Sequence, residues 1–246
     1  MTVATATPTA DLQQQLSVVA RKRIFFGHQS VGANILDGLR EIVASTPGAQ
    51  LRIIRSDNPR SLAGSGFFEA SIGNNTDPES KDRAFAKILH DGFGKASGIA
   101  FYKYCYVDIS GITDIKKMFA HYQQNVDSLK AQYPAIRFLH VTVPLTTVEP
   151  PTKAWLKSLL GRLTEREVNR RRNEFNRLLK SAYKDDPVFD LAAIESTPPD
   201  GRRYSFTSDS QEVYALFPGY ATDRGHLNTL GRHRAAEALI ALLAKL

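Results

Sequence analysis

A single cysteine, Cys105, in 246 residues excludes an intrachain disulfide and any multi-thiolate metal site. No window is long and apolar enough to span a bilayer, and the opening Met1-Thr2-Val3-Ala4 lacks the charged start and continuous apolar run of a secretory signal. The expectation is a cytoplasmic protein, or a secreted or periplasmic one if a signal peptide has been removed. Zinc-finger spacing and RNA-recognition aromatic motifs are absent, so the net charge of +7 is not read as a nucleic-acid footprint. Much of that charge falls in residues 162–184, where Arg166, Arg170, Arg171, Arg172, Arg177 and Lys180 mix with Glu165, Glu167 and Glu174. This is the pattern of a solvated helix face with local ion pairs.

What the chain does have is length for a substantial core and an alternation of short apolar runs with helical periodicity. Residues 1–20 read as a polar arm and a short helix, and residues 21–246 as a single domain. Strands are expected at 23–27, 51–54, 98–106, 137–143 and 188–192, and helices at 31–43, 81–93, 114–132, 164–183 and 227–246. Residues 56–80, a Pro-containing insertion at 147–158, and residues 196–222 read as loops. Strands alternating with helices argue for a parallel sheet covered on both faces, a three-layer α/β/α sandwich with five parallel strands. In such sheets ligand sites form outside the carboxyl ends of the strands.

Two motifs on that rim carry chemistry. Near the start, Gly27-His28-Gln29-Ser30-Val31-Gly32 places a hydroxyl between the first strand and its helix. Near the end, Asp223-Arg224-Gly225-His226-Leu227-Asn228 precedes the last helix. A carboxylate three residues before an imidazole can bond its Nδ1–H and leave Nε2 free to take a proton from a hydroxyl brought alongside. Taken singly, Ser30 reads first as a helix N-cap, while Asp223 can cap the last helix and His226 can be a surface histidine. Their joint placement and order favour a serine esterase with Ser30 as nucleophile, His226 as base and Asp223 as its orienter. The backbone N–H of Ser30, at a helix N-terminus, would be one donor to the oxyanion.

On these residues the chain resembles the SGNH (GDSL-type) hydrolases over about residues 22–246. Their last block reads Asp-x-x-His before the terminal helix, and here Asp223, His226 and Gly231 match it. The segment holding Asn169, Phe175 and Asn176 also resembles the stretch before that block. The resemblance implies the flavodoxin-like fold of that superfamily, hydrolysis of an O-acyl ester and no metal or organic cofactor. The first block departs from Gly-Asp-Ser, since His28 and Gln29 replace the Gly and Asp. The second block implies a glycine N–H in the oxyanion hole, with Gly73 the nearest analogue and Gly66 the alternative. In the third block an Asn is missing. Cys105 falls at its position, and a slip of one would put Tyr104 or Tyr106 there. A tyrosine hydroxyl is a competent donor and a thiol a weak one.

The expected site is therefore Ser30, Asp223 and His226 for catalysis, and Ser30, Gly73 and Cys105 for the oxyanion hole. His28, Gln29, Lys103, Tyr104 and Tyr106 are expected against substrate, a small-molecule or carbohydrate ester. A metal site at Asp223, His226 and His233, a glycosidase pair at Asp190 and Glu195, and a catalytic His140 are weaker readings. An acyltransferase of the same fold and a non-catalytic carbohydrate- or protein-binding member stay open as alternatives. Oligomeric state is not legible.

Overall fold

The central strand of the computed structural model, β1 (Arg23–His28), is buried at every position after the first. Residues 10–56, 58, 63–150, 152, 160 and 163–246 are described. Around β1 lie β2 (Ile53–Arg55), β3 (Gly66–Ser71), β4 (Gly98–Tyr102) and β5 (Ile136–Phe138), in the order β2-β3-β1-β4-β5. Every pairing is parallel. Beyond Leu139, whose N–H still bonds Ala100 O at 3.2 Å, the chain continues as β6 (His140–Val141), which pairs in parallel with β7 (Val188–Phe189).

Alternation along the strands divides the core in two. Ile24 and Phe26 point to one face, where α1 (Ala10–Ala20), α2 (Val31–Ser45) and α7 (Thr229–Lys245) bury Leu16, Ile35, Leu39, Ala235 and Leu239. Phe25 points to the other, against Phe85, Phe119 and Phe175 of α3 (Pro78–Asp91), α4 (Ile115–Gln132) and α5 (Glu165–Ala182). The result is a three-layer α/β/α sandwich on a five-stranded parallel sheet, as expected from the alternation. No described helix is long and apolar enough to cross a membrane.

Several local expectations are corrected. The stretch 56–80 is not all loop, because it contains β3. That strand is buried from Gly66 through Ala70, so it shows no polar alternation, and the Gly and Ser around it read as turn. The expected strand 98–106 ends at Tyr102, and Tyr106–Asp108 form a single 3₁₀ turn. Strand 188–192 stops at Phe189, because the Asp190 side chain accepts from Ala193 N–H and caps the short α6 (Leu191–Ser196). Residues 196–222 contain a hairpin, β8 (Ser205–Ser208) and β9 (Gln211–Tyr214), which turns at Asp209 and Ser210. Within α5, Arg172 is not solvated but 3% exposed. Of the insertion 147–158, residues 151 and 153–158 lie outside the described residues, as do residues 1–9 of the N-terminal arm.

Candidate active site

The loop before α7 folds around Asp223. Oδ1 of Asp223 accepts the N–H groups of Gly225 at 2.8 Å and His226 at 2.9 Å, and Oδ2 lies 2.8 Å from His226 Nδ1. These bonds, led by that from Gly225, hold the Asp223 carboxyl down at about 2. An ionised carboxylate only accepts, so Nδ1 carries the proton and Nε2 is the basic nitrogen. Asp223 does not cap α7, because Asn228 does so by accepting from Gly231 N–H.

The same loop is tied to the helix that follows Ser30. Leu227 N–H donates to Asn34 Oδ1 at 3.1 Å, and Asn34 N–H in turn bonds Ser30 O, so Asn34 stands one turn beyond Ser30. Ser30 occupies the N-cap position of α2, yet its side chain makes no capping bond. The commonest structural use of a serine before a helix is thus unfilled.

Gly73 lies beside this turn. The Gln29 carboxamide donates to Ile72 O at 3.1 Å and Gly73 O at 2.8 Å, fastening the turn after β3 to the start of α2. Only glycine suits position 73: its φ is +59°, and a Cβ there would meet Lys81 N at 2.6 Å. Among the described residues, neither the Ser30 nor the Gly73 N–H is spent on an acceptor. Gly66 is excluded from this rim, since it pairs with Arg23 at the amino end of the sheet.

The stretch after β4 departs from expectation. Lys103 is not a rim cation but 1% exposed, with Nζ 3.5 Å from Cys105 Sγ. Tyr104 is likewise withdrawn into the core, its hydroxyl donating to Asp82 at 2.6 Å and 2.7 Å. Cys105 is fully buried and its N–H is spent on Asp108 Oδ2 at 2.6 Å. The cause is local: the 3₁₀ turn that begins at Tyr106 folds Asp108 back under the strand end. Tyr106 alone of this group faces the histidine, its ring edge-on to His226 at 5.8 Å between centroids. His28 is also withdrawn, 4% exposed with Nε2 at 2.9 Å from Glu69. Gln29 is a brace rather than a free substrate contact.

Several supporting residues escaped sequence reasoning. Lys81 and Asp108 form a fully buried ion pair, and Asp108 also accepts from Thr76 N–H at 2.8 Å. Arg172 donates to Tyr106 O at 3.0 Å and Thr146 Oγ1 at 2.7 Å. Glu165 receives Arg224 at 2.8 Å and so braces the histidine loop from α5. In a charge-mixed helix, nothing in the pattern separates the buried Arg172 from its solvated neighbours. The weaker readings find other employment. His233 bonds Glu41, Asp190 bonds Lys180, and His140 sits between Tyr122 and Asp186, its burial depressing it to about 4.

Glu195 lies in the floor behind this rim. It is 1% exposed, its Oε2 has no partner among the described residues, and burial raises it to about 8. A carboxyl raised in the folded state holds its proton longer than in the unfolded chain, so its stabilisation is full below the unfolded value and is lost as pH rises through about 8. Glu195→Gln should therefore melt close to the wild type at pH 4 and at a higher temperature at pH 8, as thermal scans at the two pH values would show. An unchanged difference between them would show that Glu195 does not titrate in this window.

On the same rim a cleft of about 280 Å³ opens between the starts of α3 and α4, with Tyr104 and Met118 in its wall and Thr76, Thr113, Asp114 and His121 around them. Its lining mixes hydroxyl, charged and apolar groups, and Ser30, Asp223 and His226 are not part of it.

No protein-family model and no curated protein matches the chain. Solved structures do. One, titled a "putative platelet activating factor" from Streptococcus pneumonia, superposes with a TM-score of 0.51 at 15% identity, over 95% of this chain and 91% of its own. Another, a "putative SGNH hydrolase" from Slackia heliotrinireducens, gives 0.50 at 12% identity, over 89% and 96%. At such identities the likeness is one of fold, and the fold it supports is SGNH-like.

Proposed function

We propose that this chain is an SGNH-type serine hydrolase that cleaves an O-acyl ester through Ser30, His226 and Asp223. The observation that carries the reading is the Asp223–His226 pair, 2.8 Å apart, tied through Leu227 and Asn34 to the helix whose first turn follows Ser30. In this reading His226 Nε2 takes the Ser30 proton as Oγ attacks the ester carbonyl and returns it to the leaving alcohol, while Asp223 stabilises the imidazolium between the two transfers. The free N–H groups of Ser30 and Gly73 hold the oxyanion, and Asp223 stays ionised well below neutral pH. The imidazole must be neutral to act as base. The proposed substrate is a short acyl group on a sugar-like alcohol. A panel of p-nitrophenyl esters of graded chain length tests this: acetate should be cleaved best and long chains poorly, and the absence of turnover on every member, with none on acetylated sugars, would remove the hydrolase reading.

A non-catalytic binding role has one observation in its favour: the β4 end offers few donors, since Cys105 N–H and the Tyr104 hydroxyl are already committed. Tyr106 is the side chain of this group placed to add a third donor, because its ring faces His226. Tyr106→Phe should lower kcat by about 10²-fold if its hydroxyl serves the oxyanion, by analogy with the loss of one such donor. Tyr104→Phe should instead lower the melting temperature, because it strips hydrogen bonds from the buried Asp82. If neither variant alters turnover, the oxyanion is held by the two backbone N–H groups alone.

A further inference from the structure

Beneath the Ser30 turn, in an otherwise apolar layer between the sheet and α2, lies a polar chain of three residues. His28 ends β1 and Glu69 belongs to β3. The strand register sets Phe26 opposite Glu69 and His28 opposite Ser71, so His28 and Glu69 share the face that α2 covers. His28 Nε2 lies 2.9 Å from Glu69 Oε2, and Glu69 Oε1 receives Arg40 of α2 at 2.8 Å. The aromatic rings of Phe26 and Phe67 and the side chains of Leu36 and Leu39 fill the rest of this layer. Burial works to raise the Glu69 carboxyl, but the hydrogen bonds from His28 and Arg40 and the charge of Arg40 bring it below the usual value. As an ionised acceptor it fixes the proton on His28 Nε2.

The other nitrogen, Nδ1, is buried with no partner among the described residues. The ring is pressed against the first turn of α2: a Cβ built on Gly32 would lie 2.3 Å from His28 Cβ and 3.1 Å from Nδ1. Position 32 is glycine because His28, its Cβ foremost and the imidazole behind it, occupies the space that a side chain would need. The ring therefore sets the height of the turn that carries Ser30 and, one turn on, of the Asn34 that holds the histidine loop.

We propose that His28, Glu69 and Arg40 form a positioning device for the nucleophile, in which Glu69 holds His28 in the tautomer with a bare Nδ1 against α2 and the ring fixes where Ser30 stands relative to His226. This rests on the hydrolase reading for its effect on rate, though not for its geometry. A buried polar pair kept only for stability behaves differently from one kept for position, since apolar residues of similar volume often replace the former without loss or with a gain in stability. None of the three residues touches substrate, so their removal should act on kcat and leave KM nearly unchanged.

The test is the double variant His28→Leu/Glu69→Leu beside Glu69→Gln, whose amide oxygen still accepts from Nε2–H. The double variant should melt no lower than wild type, lose about 10²-fold in kcat, the scale of a misplacement near 1 Å, and exchange the amide hydrogens of residues 30–34 faster. Glu69→Gln should recover most of the lost rate. A folded double variant with wild-type kcat and wild-type exchange at residues 30–34 would overturn the proposal. Should that variant not fold, ¹⁵N spectra of the wild-type imidazole decide: a protonated Nε2 with bare Nδ1 at His28 is expected, and a proton on Nδ1 would overturn it. If the wild type hydrolyses no ester, the hydrolase reading falls by itself, and amide exchange still tests the positioning.

Discussion

Ser30→Ala is expected to abolish ester hydrolysis while leaving the melting temperature where it was. The conjunction is informative because the two uses of a serine before a helix predict opposite results. An N-cap serine replaced by alanine costs about 1 kcal/mol and touches no chemistry. A nucleophile that caps nothing costs no stability and removes about 10⁶-fold in kcat. The structure shows the Ser30 side chain without a capping bond, which selects the second outcome. His226→Ala should cause a comparable loss, and the double variant Ser30→Ala/His226→Ala should lose no more than either single change, since a hydroxyl without its base and a base without its hydroxyl are equally idle. Initial rates with p-nitrophenyl acetate beside thermal melts measure both quantities. Independent, multiplying losses would show that the two residues do not act as a unit.

The second large effect is on stability. Asp108 accepts from Lys81 Nζ at 2.6 Å and 2.5 Å, from Thr76 N–H and from Cys105 N–H, all beneath the rim. Asp108→Ala would strand a fully buried ammonium and two N–H groups, and breaking such a pair from one side costs about 3–5 kcal/mol. Replacing both partners, Lys81→Met with Asp108→Leu, removes the stranded charge and should recover much of that loss. Equilibrium urea unfolding gives the difference directly. A drop below about 1 kcal/mol for Asp108→Ala would mean that the ammonium reaches water, against its complete burial. Activity should fall too, because the turn carrying Gly73 is pinned by Lys81 on one side and Thr76 on the other.

These supporting residues mark where the sequence stops being readable. The catalytic candidates were legible because their chemistry is local: an Asp three residues before a His is within reach of that ring and of the loop backbone, and the structure shows it bonded to both. The layer order was legible from alternation of apolar runs. The strand β3 was not, since a strand buried on both faces has no period-2 signature and its flanking glycines and serines imitate a loop. The burial of the expected substrate contacts was not legible for a related reason. Polar residues at the end of a strand, such as Lys103 and Tyr104, look poised over the rim, but their direction depends on whether the next residues continue upward or turn under, as Tyr106–Asp108 do. Pairings across long sequence distances, Lys81 with Asp108 or His28 with Glu69, leave no local pattern at all.

The most direct test of the Ser30–His226 pairing is covalent. A fluorophosphonate should add to one residue of the wild-type chain, read by peptide mass mapping as an adduct on the segment holding Ser30, and the adduct should vanish in His226→Ala. Labelling at any other serine, or labelling of Ser30 at the same rate without the imidazole, would contradict it.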